Sequence, residues 1–226
     1  MGAKFVKISE KVMAFYENPP FSTVVGNHIQ IHNPFSEPSR REAIENFCRK
    51  FYNDQDHRIH ILGINPSKIN DTSTGVNYTD GYALENFCGI NNDFSKSREL
   101  TSRFFYSVVE KMGGATSFYS AVFAWAVMPL SVTQEDAYKN YYEDDVKSQL
   151  NGAVKSNMEW ISQNIPSNGR AVLLGSGDNK KSFDGLDGYP FGYRDIKYLP
   201  HPRWVMQYNS AKLDYYVDMY RDALQN

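Results

Sequence analysis

The stretch HILGINPSKINDTSTGVNYTD, residues 60–80, contains the boundary on which the fold prediction depends. An apolar run, residues 61–64, stops at Asn65-Pro66, and a long polar loop follows it. Pro66 removes a backbone donor and keeps Asn65 out of the helical region of the backbone dihedral angles, so a helix cannot pass through this point. The run is therefore interpreted as the end of a buried strand, residues 58–64, with an amide side chain at its tip.

Similar apolar runs recur along the chain and alternate with segments whose apolar residues have helical spacing. Strands are predicted at 58–64, 123–130, 170–179 (running into a glycine turn) and 196–202, with an irregular arm from about 20 to 34. Helices are predicted at about 8–17, from Ser36 or Ser39 through Phe51, at 97–112, at about 142–164 and from Ser210 onward. Continuously apolar strands that alternate with helices predict a parallel sheet covered on both faces. Ligands of such folds bind outside the carboxyl ends of the strands, which here carry Asn65, Pro129, Gly175 and His201.

Length and composition limit the class of protein. The chain has 226 residues, 41% of them hydrophobic, which is enough for one domain with a buried core. A formal net charge of −2 gives no overall basic field, so any nucleic-acid site is expected to be a local patch. The two cysteines, Cys48 and Cys88, exclude a four-thiolate iron–sulfur cluster and are expected to be buried, reduced thiols of a cytoplasmic protein. No apolar run approaches the about 18–20 residues that cross a membrane.

The segment GSGDNKKS, residues 175–182, nearly matches a phosphate-binding P-loop. That motif needs glycine at its sixth position, where the backbone approaches phosphate, and Lys180 stands there instead. Nucleotide hydrolysis is therefore not expected. Two interpretations stay open: a helix start whose amides, assisted by Lys180 or Lys181, hold one DNA phosphate, and a plain strand-to-helix turn.

Among the five histidines, His201 has the position that most favours a functional role. It ends the last predicted strand, precedes Pro202, and is followed by Arg203-Trp204 and Gln207-Tyr208. The sequence is compatible with either a catalytic or a structural role for His201. Asp80 is a candidate general base, but its place before a short apolar helix pattern favours a helix cap. No histidine pair has the helical spacing of a metal site with a carboxylate as third ligand, so no metal is expected.

Two motifs resemble the uracil-DNA glycosylase superfamily, Gly63-Ile64-Asn65-Pro66 and His201-Pro202-Arg203. The spacing after the first motif is similar to that of the single-strand-selective monofunctional branch, in particular its bacterial members. Thr74-Gly75 begins eight residues after Pro66, and Tyr78 lies three beyond Gly75. Further matches, in chain order, are NPF (33–35), KFYND (50–54), TD (79–80), MGG and FY within 112–119, PL (129–130), NYY (140–142) and HPRWVMQY (201–208).

This resemblance implies a three-layer α/β/α sandwich on a mainly parallel four-stranded sheet, formed as a single domain by residues 1–226, with residues 1–35 as an N-terminal helix and arm. It also implies a monomer that hydrolyses the N-glycosidic bond of uracil or a related damaged base, without a cofactor and away from membranes. Its partner would be single-stranded DNA or a lesion-containing duplex.

The resemblance assigns roles to residues of both motifs. Asn65 would hold the attacking water and His201 would stabilise the departing base, so these are the expected catalytic residues. The expected substrate-binding residues are Gly63, Ile64, Pro66, Ser67, Tyr78 and Ala126. The expected DNA-binding residues are Gly175, Ser176, Lys180, Arg203, Trp204, Gln207 and Tyr208.

Two positions depart from the branch that the chain resembles. Ser67 stands where the residue after the Asn-Pro pair is usually glycine, and Ala126 stands where relatives carry an asparagine that reads the uracil edge. The target base therefore stays open between uracil and another deaminated or oxidised base. A catalytically silent nucleic-acid-binding domain of the same fold is the alternative from another class.

Overall fold

The computed structural model describes residues 6–26 and 28–225. The helices are α1 (Ile8–Glu17), α2 (Pro38–Phe51), α3 (Gly81–Asn86), α4 (Leu100–Lys111), α5 (Ala115–Ala121), α6 (Asp144–Asn164), α7 (Asp178–Asp184), α8 (Pro202–Tyr208) and α9 (Leu213–Gln225). The strands are β1 (Val24–Val25), β2 (Ile29–His32), β3 (Arg58–Gly63), β4 (Val122–Ala126), β5 (Ser131–Gln134), β6 (Ala137–Tyr138), β7 (Ser167–Leu174) and β8 (Asp195–Leu199). Single 3₁₀ turns lie at Pro34–Ser36 and Ser210–Lys212.

The central sheet has the strand order β4-β3-β7-β8, and every neighbouring pair in it is parallel. Strand β3 lies inside the sheet, and all of its residues are buried, as the apolar run that begins at Ile61 predicts for an interior strand. Helices flank the sheet: α1 and α6 meet β4 at Trp125, whose ring centroid lies 5.2 Å from that of Phe15 and 6.0 Å from that of Trp160. The predicted α/β fold with a four-stranded parallel sheet is confirmed.

The pairing of β3 with β4 continues beyond the ends of both strands. The backbone N–H of Val127 donates to the Gly63 carbonyl at 2.9 Å, and that of Met128 donates to the Ile64 carbonyl at 3.0 Å. These bonds hold the chain up to the residue before Asn65. The backbone that precedes the Asn65 side chain is therefore held in a fixed position at the end of the sheet.

A second, antiparallel sheet has the strand order β1-β2-β5-β6. It corrects the prediction of an irregular arm from about 20 to 34, since β1 and β2 both lie in that segment. Strand β2 finds its partner far along the chain, for example Ile31 opposite Val132. Strand β2 alternates apolar and polar residues over only four positions, which is a weak signal for a strand without its distant partner.

The start of α2 differs from the predicted capping. Neither Ser36 nor Ser39 caps the helix, because Pro38 occupies its first position. Proline suits that position, since its missing N–H would have no partner inside the helix. The cap of α3 is confirmed: the Asp80 carboxylate accepts a hydrogen bond from the Ala83 N–H at 2.8 Å.

The last part of the chain is more helical than predicted. The strand predicted at 196–202 ends at Leu199, because Pro202 starts α8. The last helix begins at Leu213, after the 3₁₀ turn that Ser210 starts. The sequence pattern does not predict α8, because its seven residues are too few to show a helical repeat.

The buried hydrophobic side chains form a core cluster that includes both cysteines. The burial predicted for Cys48 and Cys88 is confirmed, and both are free cysteines. Among the helices within residues 6–26 and 28–225, none combines the length and the apolar character needed to cross a membrane.

Candidate active site

The carboxyl ends of the parallel strands bring Asn65 and His201 to one edge of the central sheet. Asn65 lies two residues after the end of β3, and His201 lies two residues after the end of β8. These two strands are separated by β7, whose own carboxyl end leads to Gly175. The two side chains expected to be catalytic therefore share the edge at which parallel sheets bind ligands.

The Asn65 carboxamide is held at both ends by the backbone of one loop. Its Oδ1 accepts a hydrogen bond from the Tyr141 N–H at 3.1 Å, and its Nδ2 donates to the Lys139 carbonyl at 2.9 Å. One N–H and one C=O as partners determine which end of the amide is oxygen. A carbonyl oxygen has two lone pairs, so Oδ1 can also accept a hydrogen bond from a water molecule.

The loop that clamps Asn65 is anchored by the side chain of Tyr141. Its hydroxyl donates to Oδ1 of Asn179 at 2.7 Å, and Nδ2 of Asn179 donates to the Leu174 carbonyl, at the end of β7, at 2.9 Å. Both side chains are buried, and burial raises the pKa of the Tyr141 hydroxyl, which stays a donor. Tyr141 and Asn179 are not among the predicted site residues, because the contacts that join them to Asn65 span 76 and 38 positions of the chain.

His201 occupies the N-cap of α8 in one defined tautomer. Its Nδ1 accepts a hydrogen bond from the backbone N–H of Arg203 at 3.2 Å, which leaves the proton of the neutral ring on Nε2. Burial, and secondarily the positive charge of Arg203, lowers the pKa of His201 to about 4. At pH 7 the ring is therefore neutral, with its Nε2–H as a donor.

Tyr78 is fixed in the loop after β3. Its ring stacks on Phe105 with centroids 4.5 Å apart, and its hydroxyl donates to the Trp125 carbonyl at 2.8 Å. Its backbone φ is +59°, a conformation that residues other than glycine seldom adopt. A Cβ on Gly63 would collide with the Tyr78 hydroxyl, so the first motif needs glycine there. Because Phe105 covers one face of the ring, a base can meet only the other face or the edge.

The remaining expected pocket residues differ in what they offer to a base. Ala126 ends β4 and is 3% exposed, and its carbonyl accepts a hydrogen bond from the buried Asn157 amide at 3.1 Å. Ile64 and Pro66 are half-buried, whereas Ser67 is exposed. The methyl group of Ala126 cannot form a hydrogen bond with a base edge.

The residues expected to bind DNA after His201 lie on α8 and are exposed: Arg203, Trp204, Gln207 and Tyr208. Trp204 is 44% exposed and Tyr208 is 72% exposed, which is high for large aromatic side chains. Trp204 packs edge-on against Tyr216 of α9, with ring centroids 6.2 Å apart, yet much of its surface faces solvent. This patch combines one cation with two exposed rings.

The glycine turn after β7 is less suited to binding a phosphate than its sequence suggests. Lys180 forms a salt bridge with Asp184, and its ammonium group lies 4.2 Å from the centroid of the Tyr198 ring. Opposite charges four residues apart in a helix are the sequence signal for such a pair. Gly175 has a φ of +109°, and Ser176 is exposed beside it. The structure thus gives Lys180 intramolecular partners, which favours the interpretation as a strand-to-helix turn.

The other candidate groups lie outside this arrangement. His60 is buried in β3, where its ring nitrogens contact the Tyr193 hydroxyl at 2.7 Å and the Pro166 carbonyl at 3.3 Å. Asp80 is used in capping α3. In the part of the chain that the structure describes, no three His, Cys, Asp or Glu side chains form a cluster that could hold a metal ion.

Comparison with known proteins indicates the family of the chain. A family model described as the uracil DNA glycosylase superfamily matches residues 49–225. The chain belongs to the uracil DNA glycosylase superfamily. Among solved structures, the crystal structure of wild-type SMUG2 from Pedobacter heparinus is similar to this superfamily member, with 28% sequence identity, a TM-score of 0.89 and coverage of 98% of both chains. No curated protein matches the chain in sequence.

The predicted family is therefore confirmed, and the chain is a SMUG-like member of the uracil DNA glycosylase superfamily. Membership gives it a general class of function, DNA glycosylase action of the uracil-DNA glycosylase type, with DNA as partner.

Proposed function

We propose that this superfamily member is a monofunctional DNA glycosylase that hydrolyses the N-glycosidic bond of uracil in DNA. The observation that carries the proposal is the presence, at one sheet edge, of an oriented amide acceptor, Asn65, and a neutral imidazole donor, His201. Breaking this bond places negative charge on the departing pyrimidine and positive charge on the sugar. The donor, His201, suits the negative charge of the departing pyrimidine, and the acceptor, Asn65, suits the positive side, where water attacks the sugar.

His201 would stabilise the departing base. Its Nε2–H is a preorganised donor for the pyrimidine O2, where negative charge develops. A donor of this kind is worth about 3–4 kcal/mol, or about 10²–10³ in rate. Since a pKa of about 4 keeps the ring neutral at pH 7, His201 would act by hydrogen bonding and not by transferring a proton.

Asn65 would position the attacking water without acting as a base. An amide cannot take a proton at neutral pH, but the remaining lone pair of Oδ1 can hold a water beneath the anomeric carbon. The bond must therefore break largely before water attacks, so most of the catalytic effect has to come from stabilising the leaving base. The clamp formed by Tyr141 and Lys139 keeps Oδ1 aimed during this step.

The base must leave the DNA stack to reach this edge of the sheet. The face of Tyr78 that Phe105 does not cover would receive it, and stacking of a base on an aromatic ring is worth about 1–3 kcal/mol. Trp204 and Tyr208 would fill the vacated stack while Arg203 contacts a phosphate. Such a local patch binds DNA although the chain has a net charge of −2.

Ala126 favours a second candidate class of substrate beside uracil. Because its methyl group cannot hydrogen-bond a base edge, selection must come from the shape of the pocket and from the backbone of the turn at 64–67. A site without a side chain that pairs with one particular edge discriminates less strongly between bases. Hypoxanthine, xanthine and oxidised pyrimidines are therefore the alternative substrates.

The test is incubation of the protein, with a chelator present, with oligonucleotides that each contain one candidate base, followed by alkaline cleavage of abasic sites. We expect uracil excision that survives the chelator and is faster from single-stranded or mismatched DNA, where extrusion costs least. His201→Ala protein, purified identically, controls for contaminating glycosylases. DNA binding without excision of any base would establish the silent alternative, and activity that chelator abolishes and zinc restores would indicate different chemistry.

A further inference from the structure

A polar cleft of about 270 Å³ lies between the loop before α4 and the start of α8. Its lining includes Ser97, Arg98, Glu99 and Thr101 on one side and Arg203 on the other. Arg203 joins the cleft to the active site, because its backbone N–H donates to Nδ1 of His201. A cleft of this volume is large enough to admit a phosphate group.

Two guanidinium groups dominate the charge of this cleft. The Arg98 guanidinium lies 4.6 Å from the centroid of the Tyr82 ring, a contact that holds the side chain in place without neutralising it. Arg203 is exposed at the start of α8. Within residues 6–26 and 28–225, neither arginine forms a salt bridge. The fold thus keeps two cations at the cleft without a carboxylate partner.

The carboxylate of Glu99 also lines the cleft, but it is engaged by a neighbouring loop. It accepts hydrogen bonds from the Thr72 hydroxyl at 2.7 Å and from the Asn70 amide at 3.3 Å. The charges of the lining therefore sum to a positive value. Ser97 and Thr101 add two hydroxyl donors. The chemistry of the cleft is that of an anion site.

We propose that Arg98 and Arg203 together bind a backbone phosphate of the DNA strand that carries the extruded base. The proposal rests on the proposed glycosylase function and extends it to Arg98, which lies outside both sequence motifs. Guanidinium groups match phosphate through paired N–H donors, and two of them on opposite sides of a cleft can hold it from both sides. Because Arg203 is bonded to His201, a phosphate held here positions the strand relative to the catalytic imidazole.

The first experiment measures binding to a single-stranded oligonucleotide of thymidines, which contains no uracil to excise, at several salt concentrations. We expect Arg98→Ala to weaken binding about tenfold at low salt. It should also reduce the slope of log Kd against log salt by about 0.7, the value for one phosphate contact on a single strand. Glu99→Gln should tighten binding, because it removes a like charge beside the phosphate.

The matched control is Arg49→Ala. This arginine lies on α2, outside the cleft, and its side chain is 70% exposed, so the variant removes the same charge from the protein surface. Arg49→Ala should leave the salt slope unchanged. An equal change of slope in both variants would show a general effect of net charge and would overturn the phosphate site.

The second experiment locates the phosphate. Oligonucleotides in which one phosphate at a time is replaced by an uncharged methylphosphonate are bound to the wild type and to Arg98→Ala. We expect one position at which the replacement weakens wild-type binding but has little further effect on the variant. Equal losses in both proteins at every position would overturn the phosphate site and leave the glycosylase function standing. A wild type that binds no DNA would overturn the proposed function, and the phosphate site with it.

Discussion

The backbone N–H of Tyr141 donates a hydrogen bond to Oδ1 of Asn65 at 3.1 Å, across 76 positions of the chain. The orientation of the amide therefore depends on a distant loop as much as on its own strand. The Tyr141 hydroxyl and Asn179 join that loop to the end of β7. In the proposed mechanism, the position of the attacking water depends on this series of contacts.

Tyr141→Phe should lower the single-turnover rate of excision about tenfold, because it leaves the buried Oδ1 of Asn179 unpaired and loosens the loop. If Tyr141 acts through Asn65, the substitution should have no further effect in the Asn65→Ala background. Tyr142→Phe removes the same hydroxyl from the next residue and is the control. Effects that multiply in the double variant would show that Tyr141 acts independently of Asn65.

Asn65→Ala should slow excision while the fold survives, because the side chain is half-buried and the hydrogen bonds that it loses involve only the loop at 139–141. Asn65→Asp is the sharper variant. It keeps an acceptor for Tyr141 but sets an oxygen against the Lys139 carbonyl, which raises the pKa of the new carboxyl group. Where that group is ionised, it can take a proton from water.

The rate of Asn65→Asp should therefore exceed that of Asn65→Ala and should titrate between about pH 5 and 9, unlike that of the wild type. Single-turnover excision by all three proteins across this range is the measurement. Excision by Asn65→Ala at the wild-type rate would refute the role of the amide.

His201→Asn should lower the single-turnover rate by about 10²–10³ without a comparable loss of DNA affinity, as expected when one preorganised donor is lost. Asparagine is a good N-cap residue, so it can replace Nδ1 as the acceptor for the Arg203 N–H and keep α8 stable. His201→Ala loses the cap as well and should be about 1 kcal/mol less stable. If His201→Asn unfolds or loses DNA binding, the role of His201 is structural.

Two glycines should respond to alanine with opposite signs. Gly63→Ala should destabilise the protein by about 1–3 kcal/mol and reduce excision, because the new Cβ displaces the Tyr78 ring. Gly152 lies inside α6, and a Cβ there meets no atom within 4 Å, so Gly152→Ala should stabilise by about 0.5–1 kcal/mol. Denaturant unfolding measures both changes. If Gly63→Ala left the free energy of unfolding unchanged, the Tyr78 ring would move without a cost in free energy.

Acid should destabilise the protein through His60. Burial lowers the pKa of this histidine to about 4, whereas an unfolded chain has a value of about 6.5. Between these values the unfolded state binds more protons. The free energy of unfolding therefore has its full value above about pH 6.5. It decreases as the pH drops toward 4, and the total decrease is up to about 3 kcal/mol.

His60→Gln should flatten the pH dependence of the free energy of unfolding in this window, and chemical denaturation at several pH values measures it. His201, whose pKa is also lowered to about 4, adds to the wild-type slope, so His201→Asn should remove a separate part. His57→Gln, at an exposed histidine nearby, is the control. A slope unchanged by His60→Gln would assign the acid sensitivity to other groups.

Local patterns predicted the parallel sheet and the placement of Asn65 and His201 at its carboxyl edge. The apolar run of β3, the Asn65-Pro66 stop and the Asp80 cap each depend on residues within a few positions of one another. The Lys180–Asp184 salt bridge likewise has a local signal in the sequence, opposite charges four positions apart. Signals of this kind come from residues within one element, so they can be recognised in the sequence without knowledge of the rest of the fold.

The antiparallel sheet, the clamp on Asn65 and the cleft between Arg98 and Arg203 were decided by the tertiary structure. Each brings together segments that are far apart in the chain, and their pairing depends on how the core packs. The clamp uses a backbone N–H and a backbone C=O, and buried groups of this kind must find partners wherever the fold places them. Asn65 could be found from its own neighbours, but its partners could not, because nearly every residue carries the backbone groups that hold it.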